Sequence, residues 1–127
     1  MTSPNAHPPA LTGLDAFIGA ADLALRTLFS PARSERAWTQ AAPLAPDTLS
    51  AQEKKQVAAL MRVNHTGEIC AQALYSGQAL ATKNDSLRQH LAAAGAEEVD
   101  HLAWTEERLS QLDAGGSLLN PLWYAGA

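Results

Sequence analysis

From Leu14 onward, the apolar positions Leu14, Phe17, Ile18, Ala21, Leu25 and Leu28 recur at intervals of three and four, the spacing of one face of an α-helix. Thr12 and Asp15 stand where a cap and its reciprocal carboxylate belong, so a short amphipathic helix is expected to start there. Residues 31–49, with Pro31, Pro43 and Pro46, break the pattern and read as a linker. At Ser50-Ala51-Gln52-Glu53 the order of a capping box returns. A long helix is expected from there to about Ala81, with Val57, Leu60, Met61, Ala71, Leu74 and Tyr75 on or beside one face. Gly67 and Gly77 inside it each cost roughly 1 kcal/mol against alanine, which packing must offset. Thr82-Lys83-Asn84-Asp85 carries the next turn signals, with Asn84 or Asp85 as N-cap. A second long helix is then expected to run to about Leu112 and to be stopped by Gly115-Gly116.

The ends differ from this regular middle. The first ten residues hold three prolines and no periodicity, and read as a flexible arm. The last segment, Leu118-Leu119-Asn120-Pro121-Leu122-Trp123-Tyr124-Ala125-Gly126-Ala127, is apolar and is expected to pack on something or to touch a membrane. The expected organisation is a flexible arm, short helix and linker over residues 1–49 and a helical hairpin unit over residues 50–127.

Composition narrows the function. A net charge of −4 offers no basic footprint for nucleic acid. The single cysteine, Cys70, rules out an intrachain disulfide and reads as a small apolar residue within a helix; it suits a reducing cytoplasm. No run approaches the roughly 20 apolar residues that span a bilayer, and the start lacks the order of a secretory signal. Surface attachment through an amphipathic helix stays open.

The chemistry lies in acids on apolar stripes. Glu98-Val99-Asp100-His101 is an ExxH pair whose Glu98 and His101 share one helix face and can converge on one cation. Leu91, Ala94, Glu98, Leu102, Thr105 and Leu109 form the stripe that should be buried, so Glu98 is a charge on the core side. On the preceding helix, Leu60, Asn64, Glu68, Ala71 and Tyr75 read as the inward stripe, with Glu68 in its middle. Buried carboxylates are costly unless paired or bound to a metal. With the turn near residues 83–85, Glu68 precedes it by about 15 residues and Glu98 and His101 follow it by about 14 to 17. At about 1.5 Å per residue, the three reach one height in an antiparallel hairpin. Two carboxylates and one imidazole suit iron or manganese better than structural zinc. The competing reading is a salt-bridge cluster with Arg62, Arg88 or Arg108.

Three stretches carry a family resemblance. The run from Arg62 to Tyr75, RVNHTGEICAQALY, closely resembles the first ligand helix of bacterial demethoxyubiquinone hydroxylases, the ferritin-like di-iron monooxygenases of ubiquinone biosynthesis. Glu97 to Trp104, EEVDHLAW, resembles their second ligand helix, and Leu119 to Gly126 the segment that follows it. The resemblance implies an all-α, ferritin-like hairpin, half of a four-helix bundle. It makes Glu68 a terminal carboxylate ligand, Glu98 the bridging carboxylate and His101 the histidine of the ExxH, with two irons per completed bundle. Glu97, His65 and Asp100 match neighbouring positions that are not ligands, and a core or interhelical hydrogen bond is the expected role of His65.

The implied activity is O2-dependent hydroxylation of demethoxyubiquinone, a quinone with a polyprenyl tail, by a peripheral protein at the cytoplasmic face of a bacterial membrane. The family's second glutamate helix and second ExxH have no counterpart in this sequence, so three of six ligands are present. Either the chain is a truncated or split form whose second half is elsewhere, or it pairs with a second copy. The expected partner is a second copy or a separate second-half chain. The alternatives are a non-catalytic ferritin-like module that binds iron or dimerises, and a purely structural hairpin.

Overall fold

The computed structural model describes residues 12–36 and 48–127, and every helix or strand among them is helical. The helices are α1 (Gly13–Phe29), α2 (Ala51–Ala81), α3 (Asp85–Gln111) and α4 (Asn120–Gly126). The flexible arm expected over residues 1–10 and the greater part of the expected linker fall outside the described residues.

The predicted starts hold. Thr12 Oγ1 accepts the Asp15 amide while Asp15 Oδ2 accepts the Thr12 amide. Ser50 and Glu53 make the same reciprocal pair at the head of α2, and Asn84 Oδ1 accepts the Leu87 amide at the head of α3. Each such cap contributes about 1 kcal/mol. The end of α3 differs from expectation. The helix ends at Gln111, and the left-handed residue that follows it is Asp113, φ 54°, and not Gly115 or Gly116, since no described glycine has a positive φ. A short polar side chain tolerates that left-handed conformation.

α2 and α3, joined by residues 82–84, pack along their length as the expected hairpin. The seam between them corrects the α2 stripe. Its buried residues are Ala58, His65, Ile69 and Gln72, whereas Leu60 is 65% exposed and Asn64 is also exposed. Glu68 sits beside the seam, half-buried, and not at its centre. The reason is compositional: α2 is apolar on more than one face, so large side chains do not mark the seam, and the buried face holds a histidine and a glutamine whose polar atoms sequence spacing weighs against burial. The α3 stripe fares better. Leu91, Leu102, Thr105 and Leu109 are buried, with Ala94 and Glu98 at its margin.

Two connections tie the remaining chain to this hairpin. Residues 32–36 run across α3, where the Ala32 amide donates to Glu106 Oε2 and the Ser34 hydroxyl and Glu35 amide donate to Asp100 Oδ1 at 2.8 and 2.9 Å. Arg36 Nε donates to Asp100 Oδ2 at 2.5 Å. The Arg36 bond, followed by that from Ser34, holds the buried Asp100 carboxyl down to about 2.

At the other end, α4 packs on α2. Arg62 Nε donates to the Gly115 carbonyl, Thr66 Oγ1 to Asn120 Oδ1, and the Cys70 thiol lies 3.8 Å from the Trp123 carbonyl. A Cβ on Gly116 would meet the His65 ring at 3.2 Å and Asn120 Nδ2 at 3.3 Å. Both neighbours are buried. Gly116→Ala is therefore expected to lower stability by about 1 to 3 kcal/mol through overpacking. Gly115→Ala, whose Cβ meets nothing within 4 Å, is the control, and thermal unfolding of the two variants reads the difference.

Candidate metal centre

The hairpin brings the three expected residues together. One ligand atom each from Glu68, Glu98 and His101 lie within 4.8 Å of one another. Among the described residues this is the one such group of His, Cys, Asp or Glu. His101 Nδ1 stands 3.1 Å from Glu98 Oε2 and 3.7 Å from Glu68 Oε2. Side-chain exposure is 20% at Glu68, 13% at Glu98 and 41% at His101, so the two acids are largely withdrawn from water while the imidazole keeps an open edge. The helical spacing that places Glu98 and His101 on one face of α3 and the equal distances from the turn deliver this geometry.

The electrostatics show an uncompensated acid pair. Burial first, then the hydrogen bond and charge of Glu98, push the Glu68 carboxyl up to about 7, with His101 opposing. His101 offsets only part of this rise, and a cation seated among the three atoms would offset more of it. The arginines of the salt-bridge reading bond elsewhere. Arg62 donates to Gly115, Arg88 to Asp85 and the Thr82 carbonyl, and Arg108 to Gln111. The donor set, two carboxylates and an imidazole without thiolate, fits iron or manganese.

Around this centre, the Trp104 ring lies 5.4 Å from that of His101, tilted by 44°. His65 is buried and its Nδ1 lies 2.9 Å from Thr105 Oγ1, the interhelical bond expected of it. Tyr75 is half-buried. His90 is exposed, and His7 lies outside the described residues. Asp100 and Thr105 are the residues whose parts sequence reading missed. Thr105 stood in the stripe only as filler, and the Asp100 partners lie 64 to 66 residues away in the chain, beyond any local pattern.

Comparison with known proteins agrees with this picture. The profile of the family described as ubiquinone biosynthesis protein COQ7 matches residues 55–127. A protein of Legionella pneumophila (strain Corby) named 3-demethoxyubiquinol 3-hydroxylase is 56% identical over 117 residues, covering 90% of this chain and 54% of its own length. Proteins of the same name from Bordetella pertussis and Polaromonas sp. are 55% and 57% identical over 114 residues, again covering 90% of this chain and 51% and 54% of theirs. The chain thus spans about half the length of the curated relatives it matches. No solved structure matches it. The profile match over residues 55–127, which takes in both helices of the acidic cluster, places the chain in the ubiquinone biosynthesis protein COQ7 family.

Proposed function

We propose that Glu68, Glu98 and His101 are ligands of a di-iron centre, and that the chain forms one half of an enzyme hydroxylating the ring of a demethoxyubiquinone. The observation that carries this is the desolvated pair of acids and an imidazole within 4.8 Å, on the two helices matched by the family profile. The functional unit is residues 50–127, a ferritin-like half-bundle. Iron held there supplies the redox chemistry with O2 that hydroxylation requires. The chain's own part is to hold the cation with two charged oxygens and one nitrogen and to keep one side accessible. The exposure of His101 supports that accessibility.

The apolar surface supports the substrate and the location in this reading. Leu60, Val63 and Leu74 of α2 are exposed, as are Phe17, Ile18 and Leu25 of α1 and Leu118, Leu122 and Trp123 at the end of the chain. Such area supports a polyprenyl-tailed quinone as substrate and a peripheral site on the cytoplasmic face of a membrane. No helix among the described residues is long and apolar enough to cross a membrane.

Three ligands complete only half of a two-iron site. The other donors would come from a second copy, a separate second-half chain or the remainder of a longer chain, set against the open side of α2 and α3. Sizing the chain with and without ferrous iron tests this: iron is expected to shift it from monomer to dimer at one iron per chain. A monomer that binds no iron defeats the symmetric site. The exposed apolar faces of α1 and α2 favour one second reading, a non-catalytic iron-binding or dimerising module. Stoichiometric iron without hydroxylation of a short-tailed demethoxyubiquinol, by product mass, would select it.

A further inference from the structure

We propose that His65 and Thr105 are positioning residues, a buried cross-helix strut that sets the register of α2 against α3 and so keeps Glu68 level with Glu98 and His101. The inference rests on the metal reading only for its consequence at the cluster.

The strut and the cluster are successive rungs. His65 precedes Glu68 by one turn on α2, and Thr105 follows His101 by one turn on α3, so in an antiparallel hairpin both lie on the same side of the three ligand atoms. Thr105 Oγ1 has one hydrogen, and it faces the carbonyls of His101 at 2.9 Å and Leu102 at 3.0 Å. With that hydrogen given to its own helix, the hydroxyl accepts from His65 Nδ1–H at 2.9 Å. The geometry thereby selects the tautomer protonated at Nδ1. Burial lowers the His65 pKa and favours the neutral ring that this tautomer requires. Thr105 consequently joins the His65 ring to the backbone carbonyl of His101.

The apolar neighbours specify register weakly. Ala58, Ile69, Leu102 and Leu109 gain from contact without regard to direction, and the small Ala58 and Gly95 offer few ridges to lock. A directional bond between residues 4% and 6% exposed discriminates sharply, because a slipped register leaves both polar groups buried and unpaired. Buried polar pairs are known to fix register in packed helices at some cost in stability.

The test separates register from stability. In a Cys70→Ser background, spin labels at the exposed positions Ala59 and Ser110, introduced as Ala59→Cys and Ser110→Cys, report the α2 to α3 distance without metal. Co2+ binding, followed by its visible absorption, reports the cluster. Thr105→Val is expected to broaden or shift the distance distribution and weaken Co2+ binding about tenfold, the order found when groups supporting ligands are removed. Thr105→Ser keeps both. The double variant His65→Leu, Thr105→Val, which restores an apolar pair, is expected to recover the thermal midpoint but neither the distances nor the Co2+ affinity. An unchanged distance distribution in Thr105→Val, or recovery of all three readouts in the double variant, overturns the strut and leaves a space-filling pair. If Thr105→Val alters the distances while unsubstituted protein takes up no Co2+, the strut stands and the three residues do not hold a metal within this chain by themselves.

Discussion

Glu98→Ala is expected to abolish stoichiometric iron binding while leaving the helix content of α2 and α3 close to that of the unsubstituted chain. Glu98 Oε2 lies 3.1 Å from His101 Nδ1, closer than Glu68 Oε2 at 3.7 Å, and the hydrogen bond and charge of Glu98 raise the Glu68 carboxyl, so it is the hinge of the three-atom group. Without it, one carboxylate and one imidazole remain, too few to compete with water for a divalent ion. The fold has little reason to suffer. Alanine is a better helix former than glutamate, and the change removes one member of a mutually repelling acid pair. Metal analysis after desalting, paired with far-ultraviolet circular dichroism, reads both halves of the prediction. Glu97→Ala, one residue away and exposed, should bind iron normally. Iron retained by Glu98→Ala would remove Glu98 from the ligand set.

That cluster was legible because it depends on counting. Distances along two helices from a shared turn fix relative height at about 1.5 Å per residue, and the ExxH fixes azimuth, whatever the packing details. The caps at Thr12, Ser50 and Asn84 were legible for the same local reason. The α2 seam was not: spacing selects apolar stripes, and α2 offers one at Leu60 and Leu74 that is left exposed, while the true seam carries His65 and Gln72. Their burial becomes favourable only once the opposite helix supplies groups such as the Thr105 hydroxyl. Asp100 was illegible for a related reason. Its three donors come from residues 34–36, which follow a different helix. The seven-residue α4 is too short for a period to show, and exists because α2 holds Asn120 and the loop before it.

Glu68→Gln is expected to stabilise the metal-free protein at pH 8, to be nearly neutral at pH 4, and to abolish the stabilisation that iron gives. The sign follows from linkage. The Glu68 carboxyl is raised from 4.5 to about 7 in the fold, so between those values the folded chain holds a proton that the unfolded chain has released. Its contribution is fully present below about 4.5 and is lost as pH rises through 7. Glutamine imitates the protonated form at every pH and avoids that loss. The gain at pH 8 is on the order of 1 to 2 kcal/mol, less than the full shift gives, because water still reaches part of the carboxylate.

Folding shifts other groups as well. His65, lowered by burial, adds stability as pH rises, while Glu106, raised by burial, has the sign of Glu68. The difference between unsubstituted protein and Glu68→Gln cancels both, which makes it the quantity to measure by thermal unfolding across pH 4 to 8. Ferrous iron, kept reduced, inverts the trend. A metal ion takes the deprotonated carboxylate and displaces the proton, so its affinity grows with pH up to about 7, and bound ligand stabilises the fold in proportion to the logarithm of its saturation. Iron should thus raise the midpoint of the unsubstituted chain most at pH 7 to 8 and leave Glu68→Gln unmoved. Equal midpoints for the two metal-free proteins at pH 8 would mean that Glu68 is solvated and its carboxyl ordinary, and the acid pair would no longer call for a cation.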